Sequence, residues 1–237
     1  MSKLNLYKSN EVYKVHQFKN RTEWLSYRVR GIGASESSSI LGYNPYKTSI
    51  ELYQDKITKR NLDEVEPTPT KAQEYGILAE EPLRELFKLT YKDKYNVFYQ
   101  DKVILQSVSN PYMLYSPDGL VQEIATGKLG IYEGKTAAIL NNILKESWRD
   151  QIPNNYFIQL LHGMFVTGFE FAVLNVELKY EYKDKDTGEV KITYERRDYR
   201  IDRGNHKEDI AYLLDNVDKF WNDNVLKQVQ PALNINI

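Results

Sequence analysis

An α+β fold, a central mixed β-sheet flanked by helices, is predicted by three features of this sequence. Five short β-prone runs follow one another between residues 96 and 137, "NVFYQ", "KVILQ", "YMLYS", "DGLVQ" and "LGIYEGKTA". Helical patterns flank that block, at residues 71–89 and in "NNYFIQLLHGMFVTG". A longer run, "EFAVLNVELKYEY", turns back through "DKDTGEV" into "KITYERRDYRI", as a β-hairpin does.

Taken in order, "RTEWLSYRVR" has helical spacing at Trp24, Leu25 and Arg28 and is followed by a turn at Gly31-Ile32-Gly33. "SESSSILG" reads as a short helix with Ser35 as its N-cap and Gly42 as its stop. Thr48 and Glu51 form a capping box ahead of Ile50, Leu52, Tyr53 and Ile57. "NLDEVEPTPT", residues 61–70, is polar and proline-interrupted, and reads as a mobile loop. The helix over residues 71–89 has an apolar stripe through Tyr75, Leu78/Ala79, Leu83 and Leu86/Phe87, with Pro82 expected to bend or delay it. Gly168 should end the next helix, and "KEDIAYLLDNVDKFWNDNVLKQV" closes the chain as an amphipathic one.

The 237 residues suit one domain of this kind. The absence of cysteine excludes disulfides, thiolate metal sites, iron-sulfur clusters and a cysteine nucleophile. No signal-peptide pattern or membrane-length apolar run stands out, so a cytoplasmic protein with no membrane partner is expected. The net charge of −1 hides an asymmetry: residues 1–60 hold eleven Lys/Arg against five Asp/Glu, a balance of +6, and the remainder 21 against 28, or −7. A basic, largely helical N-terminal portion beside an acidic remainder suits a phosphate-binding face next to a metal site.

The chemistry-bearing pattern is Asp118 followed by Glu133-Gly134-Lys135. The runs "YMLY" before Asp118 and "LGIY" before Glu133, side by side as strands with a turn at "IATGK" between them, would bring the carboxylates at their ends to one edge, and Lys135 would share a face with Glu133. Paired carboxylates are what Mg²⁺ uses when the remaining ligands are water and substrate phosphate. Asp-Gly is also a common turn dipeptide and Glu-x-Lys a common cross-strand pair, so the motif alone leaves catalytic and structural readings open. Charges interrupting the apolar segment Ile131 to Ala138 favour the former, because burial there requires a partner. Glu80 lies beside the stripe of its helix, either turned to this site or paired with Arg84. Gln159, the lone amide among Phe157, Ile158, Leu160 and Leu161, needs a hydrogen-bond partner. His162 reads as a satisfied core residue rather than a ligand.

In one collinear order, the blocks "WLSYRVRGIGASESSSIL", "YGILAEEPLRELF", "YSPDGL", "YEGKT" and "YFIQLLHGMFVTG" resemble those of the phage lambda exonuclease or YqaJ-type viral recombinase family, within the PD-(D/E)xK nuclease superfamily. "GYNPYKTSIELYQDK" resembles the YqaJ-type branch more than lambda exonuclease itself. The resemblance implies a restriction-endonuclease-like core with Asp118 and Glu133 as metal ligands, the Gly134 main-chain carbonyl facing the metal, and Lys135 as the catalytic lysine. Glu80 matches the helix glutamate that reaches the metal through water, chosen over Glu81 by its step from Gly76, and Gln159 the glutamine of the following helix. Arg28 and Ser35 match the residues that hold a DNA 5′-phosphate. The implied activity is 5′-to-3′ exonucleolytic digestion of linear double-stranded DNA with one or two Mg²⁺ ions, for which Mn²⁺ can substitute, leaving 3′ overhangs for recombination. A homotrimer, a single-strand annealing partner and a phage- or prophage-encoded origin in a bacterial host are implied with it. A structure-selective endonuclease or nickase on the same site, or a non-catalytic DNA-end-binding adaptor, are the alternatives.

Overall fold

The computed structural model describes residues 5–58, 69–183 and 187–232. Nine strands and seven α-helices occur among them: β1 (Tyr13–Gln17), α1 (Arg21–Arg28), β2 (Ile32–Gly33), α2 (Ser37–Ile40), α3 (Ser49–Thr58), α4 (Lys71–Thr90), β3 (Tyr95–Phe98), β4 (Val103–Ser107), β5 (Met113–Tyr115), β6 (Gly119–Glu123), β7 (Leu129–Ile139), α5 (Asn142–Ser147), α6 (Asn154–Thr167), β8 (Phe171–Lys183), β9 (Val190–Asp202) and α7 (Lys207–Lys219). The α+β class holds, but the strands divide between two mixed sheets, ordered β1-β4-β5-β2 and β3-β6-β7-β8-β9.

The five-stranded sheet carries the motif. Strands β6 and β7 pair antiparallel with Gly119 opposite Tyr132, which leaves Asp118, one residue earlier, beside Glu133, one residue later. The partner of β7 is therefore β6, whereas "YMLY" (β5) lies in the other sheet, and Glu133 sits mid-strand rather than at a strand end. Alternation along β7 puts Tyr132 against Phe87 of α4, while Ile131 joins the core that contains Leu160, Leu161 and Met164 of α6. Glu133 and Lys135 share the α6 side with Ile131. That core also takes in Tyr13, Leu105 and Met113, so one apolar cluster spans both sheets. Phe171 to Val176 are buried on both faces of β8, as expected for a strand with helices on either side.

The basic N-terminal portion is less helical than its sequence suggests. Strands β1 and β2 within it pair with β4 and β5, and the Gly31-Ile32-Gly33 turn is in part a parallel strand. Two of its cations are drawn into internal pairs, Lys56 with Glu36 and Lys47 with Asp55. Residues 61–68 of the expected loop lie outside the described residues, and Thr70 N-caps α4 through a capping box with Gln73. Residues 184–186 of the expected hairpin turn also lie outside them.

α4 runs unbroken through Pro82. The carbonyl deprived of its partner is that of Leu78, which stands on the exposed face of the helix, open to solvent. The buried face is Leu83, Arg84 and Phe87, while Tyr75, Leu78 and Leu86 are exposed, so the expected stripe is narrower and rotated. Gly168 ends α6 in the left-handed region at φ 72°, as expected.

One close approach fixes the β7–β8 register. Gly130 pairs with Phe171, whose ring lies over it, so that a Cβ at Gly130 would stand 2.4 Å from a ring carbon. Gly130→Ala is expected to destabilise the protein by about 1–3 kcal/mol through overpacking, read as a lower urea midpoint with unchanged slope. An unchanged midpoint would show that the ring moves aside freely.

Candidate active site

A cleft of about 740 Å³ runs between α4, the N-terminal turn after β2, and α6. Arg28, Ser35, Glu80, Asp118, Lys135 and Gln159 all line it, and Glu133 lies beneath, 1% exposed.

Glu133 is the centre of the polar contacts. Its Oε1 accepts from the Tyr115 hydroxyl at 2.8 Å, and its Oε2 accepts from Gln159 Nε2 at 2.8 Å and from Lys135 Nζ at 3.0 Å. Lys135 Nζ is also 3.4 Å from Asp118 Oδ2, and the Gly134 amide donates to that same oxygen at 3.0 Å. Gly134 thus meets Asp118 through its N–H. Burial and then the Asp118 charge push the Glu133 carboxyl upward against the pull of Lys135. Burial works against the Lys135 charge, but the two carboxylates outweigh it and hold the ammonium above its usual range. Burial followed by the Glu133 and Asp118 charges keeps the Tyr115 phenol protonated, hence a donor.

Glu80 lines the cleft close enough for Asp118, after burial, to raise its carboxyl, with Lys135 opposing. The possible Glu80–Arg84 pair gives way to another arrangement: Arg84 donates to the Asp118 carbonyl at 3.2 Å and lies 3.5 Å over the Tyr99 ring. Arg84 thereby braces the backbone that presents Asp118.

Asp118 and Glu133 supply hard oxygen donors on the cleft side of the sheet. Among the described residues no three His, Cys, Asp or Glu side chains converge as a ready-made metal cage. Two carboxylates are the donors that a hard cation uses when water and substrate complete its shell, as for Mg²⁺. The buried, upward-pushed Glu133 is a carboxylate that an added positive charge would stabilise.

Also lining the cleft, Arg28 lies over the Trp24 ring at 4.5 Å, and the Trp24 indole donates to Ser116 Oγ at 2.9 Å. Ser35 is not a helix N-cap but the middle residue of a 3₁₀ turn, Ala34–Glu36, that precedes α2. The Glu36 carboxylate folds back on the Gly33 amide at 2.7 Å and is held by Lys56, itself 3% exposed, at 2.7 Å. Burial disfavours the Glu36 charge, but Lys56, Arg28 and these bonds overcome it and keep it ionised. Sequence reasoning missed Tyr115, Glu36 and Lys56; the one signal was Glu36 as a lone charge in the small-residue run "GASESSSI", while Lys56 next to Asp55 reads as a surface pair and Tyr115 as an ordinary strand tyrosine.

His162 is a core residue, as expected. Nε2 donates to the Leu114 carbonyl at 3.0 Å, which leaves Nδ1 to accept from Ser37 Oγ at 2.7 Å. The ring therefore links α6, β5 and α2.

A mixed-sheet α+β protein with a carboxylate-lysine cleft is the class these features define, and solved structures share the fold. LHK-Exo, an alkaline exonuclease from Laribacter hongkongensis, is 17% identical with a TM-score of 0.60 over 87% of this chain and 93% of its own. A phage-related exonuclease from Haemophilus somnus 129PT is 13% identical with a TM-score of 0.52, over 84% of this chain and 96% of its own. The chain belongs to the YqaJ-like viral recombinase domain family, which matches residues 23–170. It is 32% identical over 231 residues to the uncharacterized protein YqaJ of Bacillus subtilis (strain 168), covering 95% of this chain and 63% of that protein's length. No helix among the described residues is long and apolar enough to cross a membrane.

Burial lowers the His162 pKa from 6.5 to about 4, with the Leu114 bond and the Glu36 charge opposing. The unfolded chain takes up this proton near pH 6.5 and the folded one does not, so stability is full above pH 6.5 and falls as pH drops towards 4. Wild type is expected to lose about 3 kcal/mol more than His162→Gln across that window in urea titrations. Parallel profiles would contradict the buried neutral ring.

Proposed function

We propose that this protein is a Mg²⁺-dependent nuclease that digests linear double-stranded DNA from 5′-phosphorylated ends in the 5′-to-3′ direction, leaving 3′ overhangs. The observation that carries this is that Asp118, Lys135 and Gln159, the last two bonded to Glu133 beneath them, line one cleft with Arg28 and Ser35. Membership of a viral recombinase family and a fold shared with exonucleases support it.

Asp118 and Glu133 would hold the divalent ion, which when bound supplies Lewis-acid polarisation of the phosphate and a more acidic water. Gln159 and Tyr115 keep the Glu133 carboxylate in place without needing a further charge. Lys135 sets an ammonium next to both carboxylates, where it orients water and offsets negative charge growing on the phosphate. Arg28, flattened on Trp24, presents a guanidinium fork suited to phosphate oxygens, and the Ser35 turn adds a hydroxyl. These groups address the backbone and not base edges, so little sequence preference is expected. Seating a terminal phosphate at one end of the cleft fixes which bond reaches the carboxylates and so sets polarity.

The test is digestion of linear and covalently closed duplexes bearing 5′-phosphate or 5′-hydroxyl ends, with Mg²⁺ or EDTA. Loss of phosphorylated linear DNA, sparing of closed circles and a drop of about 10²-fold or more in Lys135→Ala are expected. Arg28→Ala should erase the preference for phosphorylated ends while retaining slow cleavage. Cutting of closed circles would replace the exonuclease with an endonuclease, and binding without cleavage in either Mg²⁺ or Mn²⁺ would leave only a DNA-end adaptor.

A further inference from the structure

Three donors meet the two oxygens of Glu133, and they are unevenly shared. Gln159 and Lys135 both hold Oε2, whereas the bond to Oε1 comes from Tyr115. A carboxylate anchored at one oxygen still turns about its last torsion, which is broad for an sp³–sp² bond. A second anchor on the other oxygen defines its plane. Tyr115 is 1% exposed and belongs to β5 of the four-stranded sheet, so it reaches Glu133 from a different sheet than the one that carries the motif.

The path to Glu133 is open because position 163 has no side chain. A Cβ on Gly163 of α6 would lie 2.7 Å from Ile131 Cδ1, closer than such contacts occur, and 3.0 Å from Tyr115 Cζ, tight enough that the ring would have to shift. Gln159 and Gly163 stand one helical turn apart on α6, so the same face supplies the amide for Oε2 and the slot for the phenol. The strand that carries Tyr115 also pairs through Met113 and Leu114 with Ile32 and Gly33, at the start of the Ser35 turn.

We infer that Tyr115 is a positioning residue for Glu133: its hydroxyl, passing through the slot left by Gly163, fixes Oε1 and hence the plane in which Oε2 faces the cleft. The role rests on the metal-dependent function proposed above, and it ties the carboxylate to the strand beside the phosphate seat. Tyr115 touches neither substrate nor reacting atoms, so its effect is on ion affinity and not on DNA-end binding.

The experiment is calorimetric titration of MnCl₂ into the full chain without DNA, comparing wild type, Asp118→Asn, Tyr115→Phe and Gly163→Ala, with thermal melts confirming folding. Tyr115→Phe keeps the ring and removes only the hydroxyl, and is expected to weaken Mn²⁺ binding about tenfold. Gly163→Ala, which retains the hydroxyl but crowds the ring, should weaken it in the same direction and stands in if Tyr115→Phe fails to fold. In DNA digestion, the Mn²⁺ concentration for half-maximal rate should rise by the same factor, KM for DNA ends should stay unchanged, and saturating Mn²⁺ should restore the rate. Wild-type affinity in a folded Tyr115→Phe would overturn the inference while leaving the proposed function standing. Absence in wild type of any Mn²⁺ binding that Asp118→Asn removes would overturn the metal-dependent function first, and this inference with it.

Discussion

An ionisable carboxyl group held almost wholly out of water inside an apolar sheet face is the constraint on which this structure turns. Glu133 is tolerated there because three donors from three elements converge on it: Tyr115 from β5, Lys135 from β7 itself and Gln159 from α6. Each donor in turn fixes a piece of architecture. The Gln159 bond sets the rotation of α6 against the five-stranded sheet, the Tyr115 bond ties the two sheets together, and Lys135 draws Asp118 into the same electrostatic unit. A structure that needed only stability would gain little from this arrangement, since a well-packed apolar residue is as stable as a buried ion pair. The buried charge is better explained by what enters the cleft.

The same economy governs the N-terminal wall of the cleft. Glu36 folds under its own 3₁₀ turn, takes the Gly33 amide and is neutralised by the buried Lys56, while Arg28 is kept flat by Trp24. His162 bridges the two halves, bonded to Ser37 beside this turn and to the carbonyl of Leu114 next to Tyr115. Glu133 and the turn that carries Ser35 are therefore connected through β5 and α6 by satisfied hydrogen bonds.

Much of this was legible in the sequence. The β-prone runs located β3 to β9, the lone amide in an apolar helix marked Gln159 as a residue with a buried partner, and the Asp118 to Lys135 spacing brought the two carboxylates together, though the antiparallel partner of β7 is β6 and not "YMLY". What escaped has physical causes. β1 and β2 are short and take their identity from pairing with β4 and β5, which local pattern does not encode. The division into two sheets hides in the break between Tyr115 and Gly119, where the chain passes from one to the other. Leu78 and Leu86 looked like core because helical spacing cannot say which face of α4 is covered, and Tyr115 looked like any strand tyrosine because its partner is eighteen residues away.

The central claim is that Asp118 and the buried Glu133 together hold a divalent cation. Anomalous diffraction from crystals grown with Mn²⁺ addresses it most directly. A peak in contact with oxygens of both Asp118 and Glu133 is expected, lost in Asp118→Asn crystals grown in the same way. A peak elsewhere on the molecule, or clear density for Lys135 still bridging the two carboxylates at saturating Mn²⁺ with no peak beside them, would contradict it.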